Sequence, residues 1–212
     1  MSFQYRESIR RWMFEEALPW WAEHGVDHRN GGYVEQMTLN GRDASVAFKR
    51  TRLTCRQIYV FSHAHILGWT GGGDELAQHG YTFLTRNAWL GEKDGFARTL
   101  TRGGDVLDAT PDLYDLAFAL FALSWFYKAT GAEGARDWMH RTADFVETHM
   151  RHPGGAGFLH ERPANGPRLQ NPHMHLTEAA LAAFEATGET RFRDLATEII
   201  GLFQTHFFDR ST

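Results

Sequence analysis

The sequence predicts an all-α fold assembled from repeated helix hairpins, and three observations predict it. Apolar residues recur at helical spacing in segment after segment, and glycine-marked loops separate those segments. The loops also repeat: Gly32-Tyr33, Gly95-Phe96 and Gly157-Phe158 stand 63 (95 minus 32) and 62 (157 minus 95) residues apart. Each unit is therefore two helices joined by a short turn and tied to the next pair by a long loop with a hairpin-like extended piece. Such pairs either stack into an open solenoid or close into a toroid.

The first helix is predicted from Ser2 to about His24, with Ile9, Trp12, Met13, Ala17, Trp20 and Trp21 on one face. Pro19 is expected to bend or break it, because proline lacks the N–H that the helix interior needs. A loop from Gly31 to Asp43 contains a short alternating piece, Tyr33 to Met37. The second helix runs from about Phe48 to Trp69 and ends at Gly71-Gly72-Gly73. The third spans Asp74 to about Trp89, and the fourth about Thr110 to Thr130, where Gly131 stops it. The fifth covers about Glu133 to Met150. A glycine-rich loop from Gly154 to Gln170 precedes the sixth, in which Asn171 serves as N-cap and Pro172 as the first helical residue. Gly188 closes the sixth, and the seventh occupies about Thr190 to Phe207. His206 to Thr212 resembles the start of the first loop, Val26 to Gly31, so another unit is expected to follow.

Composition narrows the class. A chain of 212 residues, 42% of them hydrophobic, buries one sizeable core. A net charge of -4 argues against nucleic acid, and the basic residues cluster only at Lys49, Arg50 and Arg52. That cluster reads as a solvated helix entrance or as a grip for a sugar phosphate. No apolar stretch is long enough to span a membrane. The N-terminal segment lacks the apolar core of a signal peptide, and the single Cys55 excludes an intrachain disulfide, so a reducing cytoplasmic setting is expected. Aromatic residues at 14% and 12 histidines suit a sugar pocket, and equally a packed helical core.

The densest chemistry lies in Gln170-Asn171-Pro172-His173-Met174-His175-Leu176-Thr177-Glu178-Ala179. On a helix, Asn171, His175 and Glu178 share one face, whereas His173 points elsewhere. The His-x-His-x-x-Glu pattern resembles a strand-borne metal site, but on a helix its two histidines diverge, so no metal is expected. A histidine here can serve acid/base chemistry or satisfy a core hydrogen bond, and capping alone would account for Asn171. The second helix offers Arg52, Arg56 and Gln57, and the fourth offers Asp112, Tyr114 and Asp115. If the helices after the long loops form an inner ring, these sets meet in one cup.

Three stretches together, Lys49 to Ser62, Asp112 to Phe118 and Asn171 to Ala179, resemble successive signatures of the N-acylglucosamine 2-epimerase family, which includes mannose isomerases and cellobiose 2-epimerases. The resemblance implies an (α/α)6 barrel with the sugar in its central cup. It covers about the first half of the family's usual length, so residues 1–212 are expected to form the amino-terminal part of one such domain. It further implies that Arg56 and His175 act at the reacting end of the sugar, that Tyr114, Asn171 and Glu178 bind it or orient His175, and that no cofactor is needed. The implied partner is a monosaccharide, most closely D-mannose converted to D-fructose through an enediol(ate), with N-acylglucosamine or another sugar 2-epimerisation as the alternative. The main acid/base histidines are implied to lie on later inner helices, so these residues alone are expected to lack turnover; two copies could close a ring as a homodimer. Two other classes remain: a glycoside hydrolase of the same barrel, which would enlist two carboxylates among Asp112, Asp115 and Glu178, and a non-enzymatic helical-repeat binding module.

Overall fold

A computed structural model describes residues 3–208. Its first helix is α1 (Phe3–Trp12), continued through a π-helical turn (Met13–Ala17) into α2 (Leu18–His24). Pro19 therefore neither ends nor breaks the helix. It lies in the first turn of α2, just after Leu18 has donated to the Met13 carbonyl, and the wide turn resets the bonding register ahead of the missing N–H. The remaining helices are α3 (Thr51–Ile66), α4 (Gly73–Phe83, then a π-helical turn Leu84–Ala88), α5 (Leu113–Thr130), α6 (Glu133–His149), α7 (Gln170–Thr187) and α8 (Thr190–Leu202, then a π-helical turn Phe203–Phe207). Every predicted helix is present. Ser2, and the resemblance of Asp209 to Thr212 to the first loop, lie outside the described residues.

Helix α5 packs between α3 and α7, while α4, α6 and α8 pair with α3, α5 and α7 from outside. Its apolar residues run all round, and Leu113, Leu116, Leu120, Leu123 and Phe126 have no exposed surface. Such a helix is a core helix. The hairpin turns close as expected: Gly131 (φ 68°) and Gly188 (φ 72°) adopt the left-handed conformation and donate to Tyr127 and Phe184 carbonyls.

Three loops repeat one geometry. Backbone bridges join Val26 to Tyr33, Trp89 to Phe96 and Arg151 to Phe158, at the same 63- and 62-residue offsets. The glycine before each aromatic has positive φ, and a Cβ on Gly32, Gly95 or Gly157 would lie 2.8, 2.7 or 2.6 Å from Phe83, Phe145 or Leu202 respectively. Only glycine meets both demands. The second and third loops then meet the start of the preceding inner helix: Thr51 N–H donates to the Arg98 carbonyl at 3.1 Å, and Leu113 N–H to the His160 carbonyl at 2.8 Å. The first residues of α3 and α5 thus find acceptors for their orphan N–H groups.

Two boundaries differ from expectation. Phe48–Arg50 is strand β1, not helix, and pairs antiparallel with β2 (Thr99–Thr101), which pairs with β3 (Val106–Asp108). The extended pieces therefore pair between loops as well as within them; Glu35, 15 residues earlier, holds Arg50 extended by accepting its backbone N–H at 2.8 Å. Asn171 is likewise not the N-cap of α7. Leu169 holds that place in extended conformation, and Pro172 sits inside the first turn, where its missing N–H costs nothing.

Two edges of the structure expose apolar side chains: Tyr5, Ile9 and Trp12 on α1, and Met174, Leu181, Ile200 and Phe203 on α7, α8 and the turn after it. Among the described residues no helix is long and apolar enough to cross a membrane.

Candidate functional site

Asp115 has no exposed surface and accepts three hydrogen bonds from Arg52: backbone N–H (3.0 Å), Nε (2.9 Å) and Nη2 (3.0 Å). Helix α3 has no side-chain cap of its own, so Asp115 of the neighbouring helix caps it and places negative charge at its positive end. Burial pushes the Asp115 carboxyl up to about 7 against the opposing pull of Arg52. Asp112 caps α5 through the Tyr114 N–H at 2.8 Å and lies 3.3 Å from Arg98.

The basic cluster is paired rather than free, and of its three residues Arg50 is exposed to solvent. Lys49 is 2% exposed and pairs with Asp27 at 3.0 Å; its ammonium is held below the ordinary lysine range by burial. Arg50 pairs with Glu35 and Arg52 with Asp115. All three fasten the strand and the start of α3 to neighbouring loops and helices.

Beyond this frame, within the first two turns of the inner helices, the predicted residues converge. Arg56 Nη2 donates to Tyr114 Oη at 2.6 Å, and its guanidinium lies 4.4 Å from the Phe118 ring centre. The His175 ring meets Tyr114 edge-on at 4.8 Å and Phe118 at 4.8 Å, and its Nδ1 faces Glu178 Oε2 at 3.1 Å. Helices α3, α5 and α7 thus each supply one member of a contiguous group, with Glu178 orienting His175. Asn171 is exposed at the mouth. It lines a polar cavity of about 430 Å³ together with Arg52, Arg56, Asp112, Tyr114 and His160. A more apolar groove of about 490 Å³ lies between α7 and α8 and shares only Glu178 with this group; hydroxyl-binding chemistry belongs to the polar one.

His173 does not join them. Buried on the other face of α7, it accepts the Phe158 N–H at 3.0 Å and pairs with the Leu169 carbonyl at 2.7 Å. The two histidines therefore do not converge on a common ion, and among the described residues no three His, Cys, Asp or Glu side chains do.

Two features were not singled out from the sequence. His160 lines the cavity from an irregular loop, where periodicity gives no signal. Below the Arg56 layer, Tyr59, His63, Phe121 and Trp125 form an aromatic layer, with Tyr59 4.8 Å from Phe121 and His63 4.3 Å from Trp125. The i, i+4 spacing of Tyr59/His63 and Phe121/Trp125 was the available signal. Burial raises the Tyr59 hydroxyl, with the Glu178 charge adding, and lowers His63.

Inner helices backed by outer ones, with Arg56, Tyr114, His160 and Asn171 around a polar cup at the N-terminal ends of the inner row, define a protein of the α/α-hairpin barrel class. A D-mannose isomerase of solved structure matches 93% of this chain at a TM-score of 0.82 and 25% identity, over 50% of its own length. The model of the N-acylglucosamine 2-epimerase (GlcNAc 2-epimerase) family matches residues 31–212, and the chain belongs to that family. It is 36% identical to a mannose-6-phosphate isomerase of Rhizobium meliloti, over 93% of this chain and 51% of that protein. With a cellobiose 2-epimerase of Bacteroides fragilis it shares 25% identity over 98% of this chain and 57% of that protein. The chain spans about half the length of the curated relatives it matches, and its fold is that of part of their (α/α)6 barrel.

Proposed function

We propose that the protein is a sugar isomerase that converts unphosphorylated D-mannose to D-fructose. The convergence of Arg56, Tyr114 and His175 from three inner helices carries this reading. An aldose becomes a ketose when the C2 proton leaves, an enediol(ate) forms, and a proton returns at C1. Negative charge develops on the oxygens at C1 and C2, and a guanidinium held by Tyr114 suits it because its charge is fixed and its donors lie in one plane. Tyr114, Asn171 and Glu178 bind sugar hydroxyls or hold His175. His175 contributes to proton transfer, which a positioned group accelerates by roughly 10²–10⁴-fold. In this reading His175 assists, and the principal acid–base histidines belong to further inner helices of the barrel.

A mannose skeleton is favoured by the higher identity to a relative named mannose-6-phosphate isomerase than to the cellobiose 2-epimerase. The free sugar is favoured because Lys49, Arg50 and Arg52 already hold carboxylates. Hydrolysis is disfavoured on similar grounds: Asp115 is sealed beneath Arg52, and Asp112 is spent on capping α5. The second reading, 2-epimerisation, rests on the match to cellobiose 2-epimerase along nearly the whole chain.

Carbon NMR of the whole protein incubated with mannose, mannose 6-phosphate or cellobiose in D₂O separates them. Fructose carrying deuterium at C1 is the expected product; glucose deuterated at C2, or turnover confined to cellobiose, would replace isomerisation with epimerisation. Turnover of mannose 6-phosphate alone would contradict the free-sugar reading.

A further inference from the structure

His160 lines the cavity and has no part in the proposed reaction. Its side chain is 17% exposed, and it faces the cavity beside Asp112, Tyr114 and Asn171. Its backbone is fixed by the Leu113 N–H and by the bridge from Glu161 to Asp112. Arg98 holds the same place one repeat earlier: its carbonyl receives the Thr51 N–H, and the next residue, Thr99, pairs with Arg50. There the side chain is committed, bonded to Glu161 and 3.3 Å from Asp112.

His160 has no such commitment. Its Nε2 lies 3.6 Å from Glu161 Oε1, beyond hydrogen-bond reach, while the other oxygen of Glu161 is held by Arg98. Among the described residues no protein atom hydrogen-bonds the ring. His173, by contrast, uses both ring nitrogens within the protein. Largely buried polar groups carry hydrogen bonds, and the space before this one is the polar cavity, which it shares with Asn171, the residue one helical turn before His175.

Resting on the sugar-site reading, we propose that His160 is a further sugar contact, hydrogen-bonding a hydroxyl at the end of the sugar remote from His175. It recognises the ligand and takes no part in proton transfer. The test is steady-state kinetics of the whole protein on mannose with His160→Ala and His160→Gln. A lost hydrogen bond to an uncharged hydroxyl corresponds to a roughly three- to ten-fold higher KM. His160→Ala is expected to show that rise with kcat within about two-fold and an unchanged melting temperature, and His160→Gln, which keeps a donor and an acceptor, to recover part of it. Should His160→Ala unfold, the imidazole Cε1–H resonance of His160 in the natural protein decides: a shift saturating with mannose supports the contact. Unchanged KM, or an unmoved resonance, in a protein that converts mannose overturns the His160 assignment alone. A natural protein that neither converts nor binds mannose or cellobiose overturns the site reading and this inference with it.

Discussion

His173 accepts the Phe158 N–H at Nε2, and burial holds it below the ordinary histidine range. In this arrangement the folded chain keeps a neutral ring. Below about pH 6.5, the ordinary histidine pKa, the unfolded chain binds more protons than the folded one, so stability falls as pH falls. His173→Gln should cost roughly 1–3 kcal/mol at pH 8, the penalty of a disturbed buried hydrogen bond. Denaturant unfolding should show that deficit shrinking between pH 7 and 5.5, because only the natural protein loses the histidine's contribution. An equal deficit at both ends would refute it. Two positions on, His175 turns to Tyr114 and Phe118 instead. The helical period separates those two faces in the sequence, whereas Arg56 and Tyr114 are singled out by the family resemblance; all three stand on regular helices. His160 stands on an irregular loop, whose side-chain direction follows from tertiary bonds such as the one from Leu113.

The inner helices begin where neighbouring elements meet their first N–H groups. Local sequence marks their ends well, as Gly131 and Gly188 show, because a left-handed turn needs glycine. It marks their starts poorly. Phe48–Arg50 reads as helix from its neighbours and is strand because Thr99–Thr101, about fifty residues away, pairs with it. Asn171 has the chemistry of a cap, yet the chain turns helical two residues earlier than a cap there would require. The Arg52–Asp115 pair tests how strongly α3 depends on α5. Arg52→Met strands a buried carboxylate and should cost roughly 3–5 kcal/mol. Combined with Asp115→Leu, most of that loss should return, leaving about 1 kcal/mol for the Arg52 N–H without its acceptor. Melting curves of the single and double variants decide; a double variant as unstable as the single one would show that the pair is not what joins the helices.

Across the molecule, one 62- to 63-residue unit accounts for most of the architecture: glycine-aromatic loop, inner helix, outer helix. Positions 52, 115 and 178 are 63 apart (115 minus 52, 178 minus 115) and carry Arg, Asp and Glu. The first two bind each other, and the third turns to His175. Repetition made the hairpin order legible in the sequence, while barrel closure came from resemblance, since helix pairs alone permit either a solenoid or a ring. The central claim is that one sugar touches three consecutive inner helices at once. Calorimetric titration of the whole protein with mannose tests it most directly, using Arg56→Ala, Tyr114→Phe and His175→Ala singly and in pairs. Each single change is expected to weaken binding at unchanged melting temperature, and each pair to weaken it by less than the sum, because all three touch one ligand. Mannose bound with natural affinity by all three single variants would contradict the account.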